Sequence, residues 1–275
     1  MDQEKFLVDE GLSAFYKNDY HAAVAALAEA RIHDPNNPDV LHGLAGAFYT
    51  MGDYRQALQI YVDFVERFPD NLAAHEGAGL TYNRLGNKKA ALREFRALSR
   101  LAPNDPIPYT SISMLYREAK HYEAAHKDLE AARRIAPNHL NVYLEQGALA
   151  VAEGRMGDAL RYYEAAVSLN PDNHYALSRL GYYYLETKQY QDARLFFGHA
   201  LETRSKSPDA LYGLALAEIG QRQWQDGIKT LHRVISISPG FRQAYITLSR
   251  TQIRVFQLRD AWKTFTELIE FAANH

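Results

Sequence analysis

Residues 38–71 carry their apolar positions at helical spacing. Leu41, Leu44, Ala45 and Phe48 recur at i, i+3, i+4 and i+7, which predicts one buried face of a first helix. The stretch "MGDY" at 51–54 interrupts it, with Gly52 suited to a left-handed position after a helix. Ala57, Tyr61 and Phe64 then predict the inner face of a second helix. "FPDN" at 68–71 closes the pair: Pro69 cannot continue a helix and pushes its predecessor towards extended backbone. Asp70 and Asn71 are turn formers and candidate N-caps for a helix that follows. The segment therefore reads as a helix–turn–helix hairpin.

The same pattern runs along the chain. Pro35, Pro69, Pro103, Pro137 and Pro171 are spaced by 34 residues; Pro239 falls on the same grid, and Ser205 fills the skipped place. Counted from Glu4, the units 4–37, 38–71, 72–105, 106–139, 140–173, 174–207, 208–241 and 242–275 follow without insertion. Position 8 of each unit is small: Gly11, Ala45, Gly79, Ser113, Gly147, Gly181, Ala215, Ser249. Position 20 is alanine except at Gly227, and position 24 is large and apolar, from Leu27 and Tyr61 to Phe265. Small residues let two helices approach and the large one fills the space beside them. A lone hairpin cannot bury its apolar face, so neighbouring units are expected to stack.

Small residues at positions 8 and 20, aromatics at 11 and 24, glycine at 15 and proline at 32 resemble the tetratricopeptide repeat. The resemblance spans essentially the whole chain. It is locally weaker at Ser205, Glu218, Gly227, Phe256 and Ala273, which depart from the pattern without shifting its phase. The resemblance implies an all-α, right-handed superhelical solenoid of about eight hairpins, a single array over 4–275. It also implies a concave groove, lined by the first helix of each unit at about positions 2, 5, 6, 9, 12 and 13. Carried onto this sequence, those positions place Phe15, Tyr49, Glu76, Asn83, Arg84, Arg117, Glu145, Tyr175, Arg179, Tyr182, Tyr212, Arg250 and Arg254 in the groove. Aromatic and arginine side chains together are the usual anchors of protein-binding surfaces. Tyr182 and Tyr212 are expected to bind a partner without supporting the fold. By contrast, Tyr54, Tyr122 and Tyr190 at position 17, and Tyr82, Tyr116 and Tyr184 at position 11, read as packing residues. Gly43, Gly46 and Gly77 also fall on groove positions, leaving room for a ligand backbone or for a tight helix crossing. The lysine–asparagine clamp by which some family members hold a peptide carboxylate is missing: Val8, Leu12, His42 and Gly46 stand there instead.

Composition narrows the function further. With 47% hydrophobic and 23% charged residues the chain can fold, and its net charge of −2 lacks the basic field that nucleic acid or an anionic membrane would need. It has no cysteine, hence no disulfide, thiol nucleophile or thiolate metal site. "HE" at 75–76 is not followed by a second histidine at zinc-helix spacing, and "GLTYNRLGNKK" at 79–89 is not a phosphate loop. No cofactor, metal site or catalytic residue is expected. No apolar run is long enough to span a bilayer, so direct membrane insertion is not expected. The acidic N-terminus does not read as a leader. A cytoplasmic location is expected, or a periplasmic one if a signal or anchor has been removed. The function implied is a non-catalytic scaffold that grips a partner protein or peptide in its groove. Two alternatives stand beside it: an accessory subunit of a bacterial envelope assembly (pilus, secretion or polysaccharide export), and the regulatory array of a larger enzyme such as a glycosyltransferase. "TELIEFAANH" carries no polar capping helix, so self-association, a partner or further sequence is expected over the eighth unit.

Overall fold

The computed structural model describes residues 2–274. Among them the chain is all-helical and forms two compact units, Met1–Val142 and Tyr143–His275. The first contains α1 (Asp2–Tyr16), α2 (Tyr20–His33), α3 (Pro38–Met51), α4 (Tyr54–Arg67), α5 (Leu72–Arg84), α6 (Lys88–Leu101), α7 (Pro106–Glu118) and α8 (Tyr122–Ile135). α9 (Leu140–Ala152) straddles the division. The second unit continues with α10 (Met156–Leu169), α11 (His174–Glu186), α12 (Tyr190–Thr203), α13 (Pro208–Gly220), α14 (Trp224–Ile237), α15 (Arg242–Arg254) and α16 (Leu258–Asn274). Within each unit, consecutive helices pair as antiparallel hairpins and each hairpin packs on the next, the arrangement the 34-residue period predicts.

The punctuation works as the sequence implies. Asn71 accepts a hydrogen bond from Ala74 N at 3.0 Å, and Asn37, Asp105, Asn173 and Ser207 cap their helices in the same way. Position 15 is left-handed in all eight hairpins. Gly52, Gly86 and Gly154 take it without steric cost, while Asn18, Lys120, Lys188, Arg222 and Phe256 hold φ between +61° and +63°. The turn is thus set by how the two helices pack, and local preference is overridden where glycine is missing.

Position 24 forms the spine of the core. Leu27, Phe95, Phe197 and Leu231 are completely buried, and Tyr61 and Tyr163 nearly so. Phe197 shows why small residues surround it. A Cβ added at Gly181 of its own hairpin would lie 2.9 Å from the ring, and one at Gly213 of the next hairpin 2.2 Å. The ring is clamped between two helix backbones. Gly77 does the same for Tyr61, where an added Cβ would stand 2.1 Å from the ring, and Gly43 for Leu27 at 3.0 Å. Of the two readings open for Gly43 and Gly77, the structure selects the tight helix crossing; the space beside them is filled by the preceding hairpin.

Candidate interaction surface

In the first unit, the first helix of each hairpin carries the candidate groove residues. Tyr49 on α3 and Arg84 at the end of α5 come together across consecutive hairpins. The Arg84 Nε donates to the Tyr49 hydroxyl at 3.0 Å, and its guanidinium carbon lies 6.0 Å from the ring centroid. Tyr49 also meets Tyr54 edge-on, with centroids 5.3 Å apart. Phe15 is half-buried against Tyr20 and fills the space over Gly46, so it supports the hairpin stack as much as it lines a face. Glu76 is half-buried on α5. Burial first, and Asp105 second, push its carboxyl above the usual range, while His42 partly offsets them. Asn83 and Arg117 are half-buried on α5 and α7.

In the second unit, Tyr175, Arg179 and Tyr182 stand at i, i+4 and i+7 on one face of α11. The Arg179 guanidinium carbon lies 4.6 Å over the Tyr175 ring and its Nη2 donates to the Tyr175 hydroxyl, while the ring itself remains exposed. Arg250 and Arg254 are exposed on α15, and Arg254 covers Trp224 at 4.8 Å. Trp224 was not among the residues expected from sequence. Its position at the start of a second helix, shared with Tyr54 and Tyr190, is where an aromatic can meet a first-helix residue. Glu145 is buried, so it offers little surface.

Tyr182 and Tyr212 correct an expectation. Each ties its hairpin to the next. The Tyr182 hydroxyl donates to Asp209 O at 3.0 Å and lies 3.2 Å from Asp209 Oδ1, and its ring packs edge-on against Phe197 at 5.0 Å. Tyr212 shares a hydrogen bond with Thr247 at 3.0 Å and packs on Phe241 at 5.1 Å. Both are therefore structural, and removing them would disturb the stack; burial and Asp209 drive the Tyr182 hydroxyl well above the usual phenol range. Among the described residues no group of three or more His, Asp or Glu side chains could hold a metal ion. Nor is any described helix long and apolar enough to cross a membrane.

Sequence models of the tetratricopeptide repeat match residues 42–106, residues 14–63 and 150–215, and residues 209–240, together about two thirds of the chain. The chain belongs to the tetratricopeptide repeat family. No curated protein matches it significantly. Among solved structures it is similar to a tetratricopeptide repeat protein from Parabacteroides merdae (16% identity, 92% of this chain and 100% of that one, TM-score 0.69). Yeast Tom70 is also similar (17% identity, 97% of this chain and 60% of that one, TM-score 0.74). A third likeness is to a chain of the APC/C hetero-tetramer Cut9–Hcn1, at 17% identity over 84% of this chain and 48% of that one, with a TM-score of 0.62. At such identities the likeness is one of fold.

Proposed function

We propose that this chain is a non-catalytic scaffold whose first-helix face, over one array spanning 4–275, holds a segment of a partner protein. One observation carries the reading: arginines stacked on aromatic rings at that face, Arg84 on Tyr49 and Arg179 on the exposed Tyr175. A stacked guanidinium is held in place before any ligand arrives. Less side-chain entropy is then lost on binding, and the Arg179 guanidinium retains N–H groups beyond its bond to Tyr175 that can donate to a carboxylate or carbonyl. Glu76, half-buried on α5, adds an acceptor to the same helix as Arg84, and its burial raises the carboxyl above the usual range. The fold supports partner binding: one similar structure is a hetero-tetramer of two different proteins.

The test replaces Arg84, Tyr175 and Arg179 with alanine, separately and together, and compares affinity capture from native lysate followed by mass spectrometry. The expected result is a partner retained by the unaltered chain and lost by the triple variant, with helicity unchanged. Equal capture by both would reject the reading.

A further inference from the structure

We propose that α16 is a self-association surface, on which two copies of this chain pair their α16 helices antiparallel. The first observation is a break in the spine. Position 24 is at most 4% exposed at Leu27, Tyr61, Phe95, Leu129, Tyr163, Phe197 and Leu231, yet Phe265 is 47% exposed. Elsewhere within each unit, as at Leu27, Tyr61 and Phe197, the neighbouring hairpin covers this face. Here Leu258, Trp262, Phe265 and Ile269 are all exposed and lie within about a 60° arc of the helix, at 100° per residue. The other side of α16 is anchored: Ala261 and Thr264 are buried against α15, and Thr264 donates to Gln252 at 3.0 Å. The rings of Trp262 and Phe265 already touch, with centroids 6.3 Å apart.

Two features select a second copy over other occupants. The spacings between the four apolar residues read 4, 3, 4, which is unchanged on reversal. An antiparallel pair therefore sets Leu258 opposite Ile269 and Trp262 opposite Phe265 on both sides of one two-fold axis, the self-complementary contact of a symmetric dimer. The flanking charges agree. Arg259 lies beside one end of the stripe and Glu270 beside the other, and among the described residues neither is in an ion pair within the chain. Antiparallel pairing sets each Arg259 near the partner copy's Glu270, while parallel pairing would leave them at opposite ends of the stripe, about 16 Å apart along the axis. Head-to-tail stacking on α1 of another copy is disfavoured. Its position 6 is the exposed Asp9, where the covering helices at Leu27, Tyr61 and Phe197 present glycine.

The paired area is well under the roughly 800 Å² per partner of a standard interface, so the dimer is expected to be weak, dissociating at tens of micromolar or above. Sedimentation velocity from about 1 to 500 µM measures it. The unaltered chain should shift from monomer to dimer, and Trp262→Asp and Phe265→Asp, both at exposed sites, should abolish the shift with helicity retained. Arg259→Glu and Glu270→Arg should each weaken the dimer about tenfold, and the double exchange should restore it. A chain that stays monomeric throughout overturns the proposal, as does a dimer that survives Trp262→Asp. Failure of the double exchange to restore association overturns the antiparallel register.

Discussion

Replacing Gly213 with alanine tests the packing logic most sharply, because two effects of known sign oppose each other there. Inside a helix alanine is favoured over glycine by about 1 kcal/mol. The added Cβ, however, would stand 2.2 Å from Phe197 Cζ and 2.3 Å from Cε1, where carbons normally rest about 3.5–4.0 Å apart. The ring must retreat by more than 1 Å and has nowhere to go: it is completely buried, Gly181 lies against it, and Tyr182 meets it edge-on. Overpacking of this kind costs about 1–3 kcal/mol, so the net change is a loss of about 0–2 kcal/mol. Gly198 in the neighbouring α12 is the control. Nothing lies within 4 Å of an added Cβ there, and alanine should stabilise by about 1 kcal/mol. Repeat arrays need not unfold in one step, so denaturant melts should be paired with hydrogen exchange at the α12 and α13 amides. If Gly213→Ala gains stability as Gly198→Ala does, Phe197 is not clamped between two hairpins.

Three further outcomes follow from the same structure. Lys188→Gly and Arg222→Gly, both at left-handed turns, should each stabilise by about 0.5–1 kcal/mol, because relief of the left-handed strain exceeds the extra unfolded-state entropy of glycine; lower melting points would refute this. Tyr182→Phe removes the hydroxyl that reaches Asp209 and should cost about 1 kcal/mol, whereas Tyr175→Ala at the exposed face should stay within about 0.5 kcal/mol of the unaltered chain. Glu218 is buried with its Oε2 unpaired, and burial, ahead of Asp226, raises its carboxyl above the usual range. The folded state therefore binds this proton more tightly than the unfolded state, and stability falls as pH rises from about 4.3 through the folded value. Glu218→Gln removes that dependence, so its stability relative to the unaltered chain should rise between pH 4 and pH 7 in parallel melts.

Much of the fold is legible because the repeat states it eight times over. Small residues at position 8 and large ones at 24 place every hairpin, proline at 32 closes six of the eight, and the caps at Asn37, Asn71 and Asn173 fall where the turn residues point. The left-handed turns at Lys120 and Phe256 are not legible from those residues themselves, since neither prefers that backbone. They follow only from keeping phase with Gly52 and Gly86. The candidate surface is readable at Tyr175 and Arg179, whose partners lie one turn apart on a single helix. It is not readable at Tyr182 or Tyr212, because what a hydroxyl reaches depends on Asp209 or Thr247 in the following hairpin. Trp224 was missed for the same reason: its partner Arg254 comes from another helix 30 positions further on.

Site-specific photocrosslinking tests most directly whether the first-helix face is where a partner binds. A photoreactive phenylalanine analogue placed at Tyr175, and at the somewhat more exposed Leu195 on α12 as a second-helix control, can be irradiated in native lysate. The account predicts a discrete crosslinked protein from position 175 and none from position 195. Crosslinks from position 195 alone would contradict it.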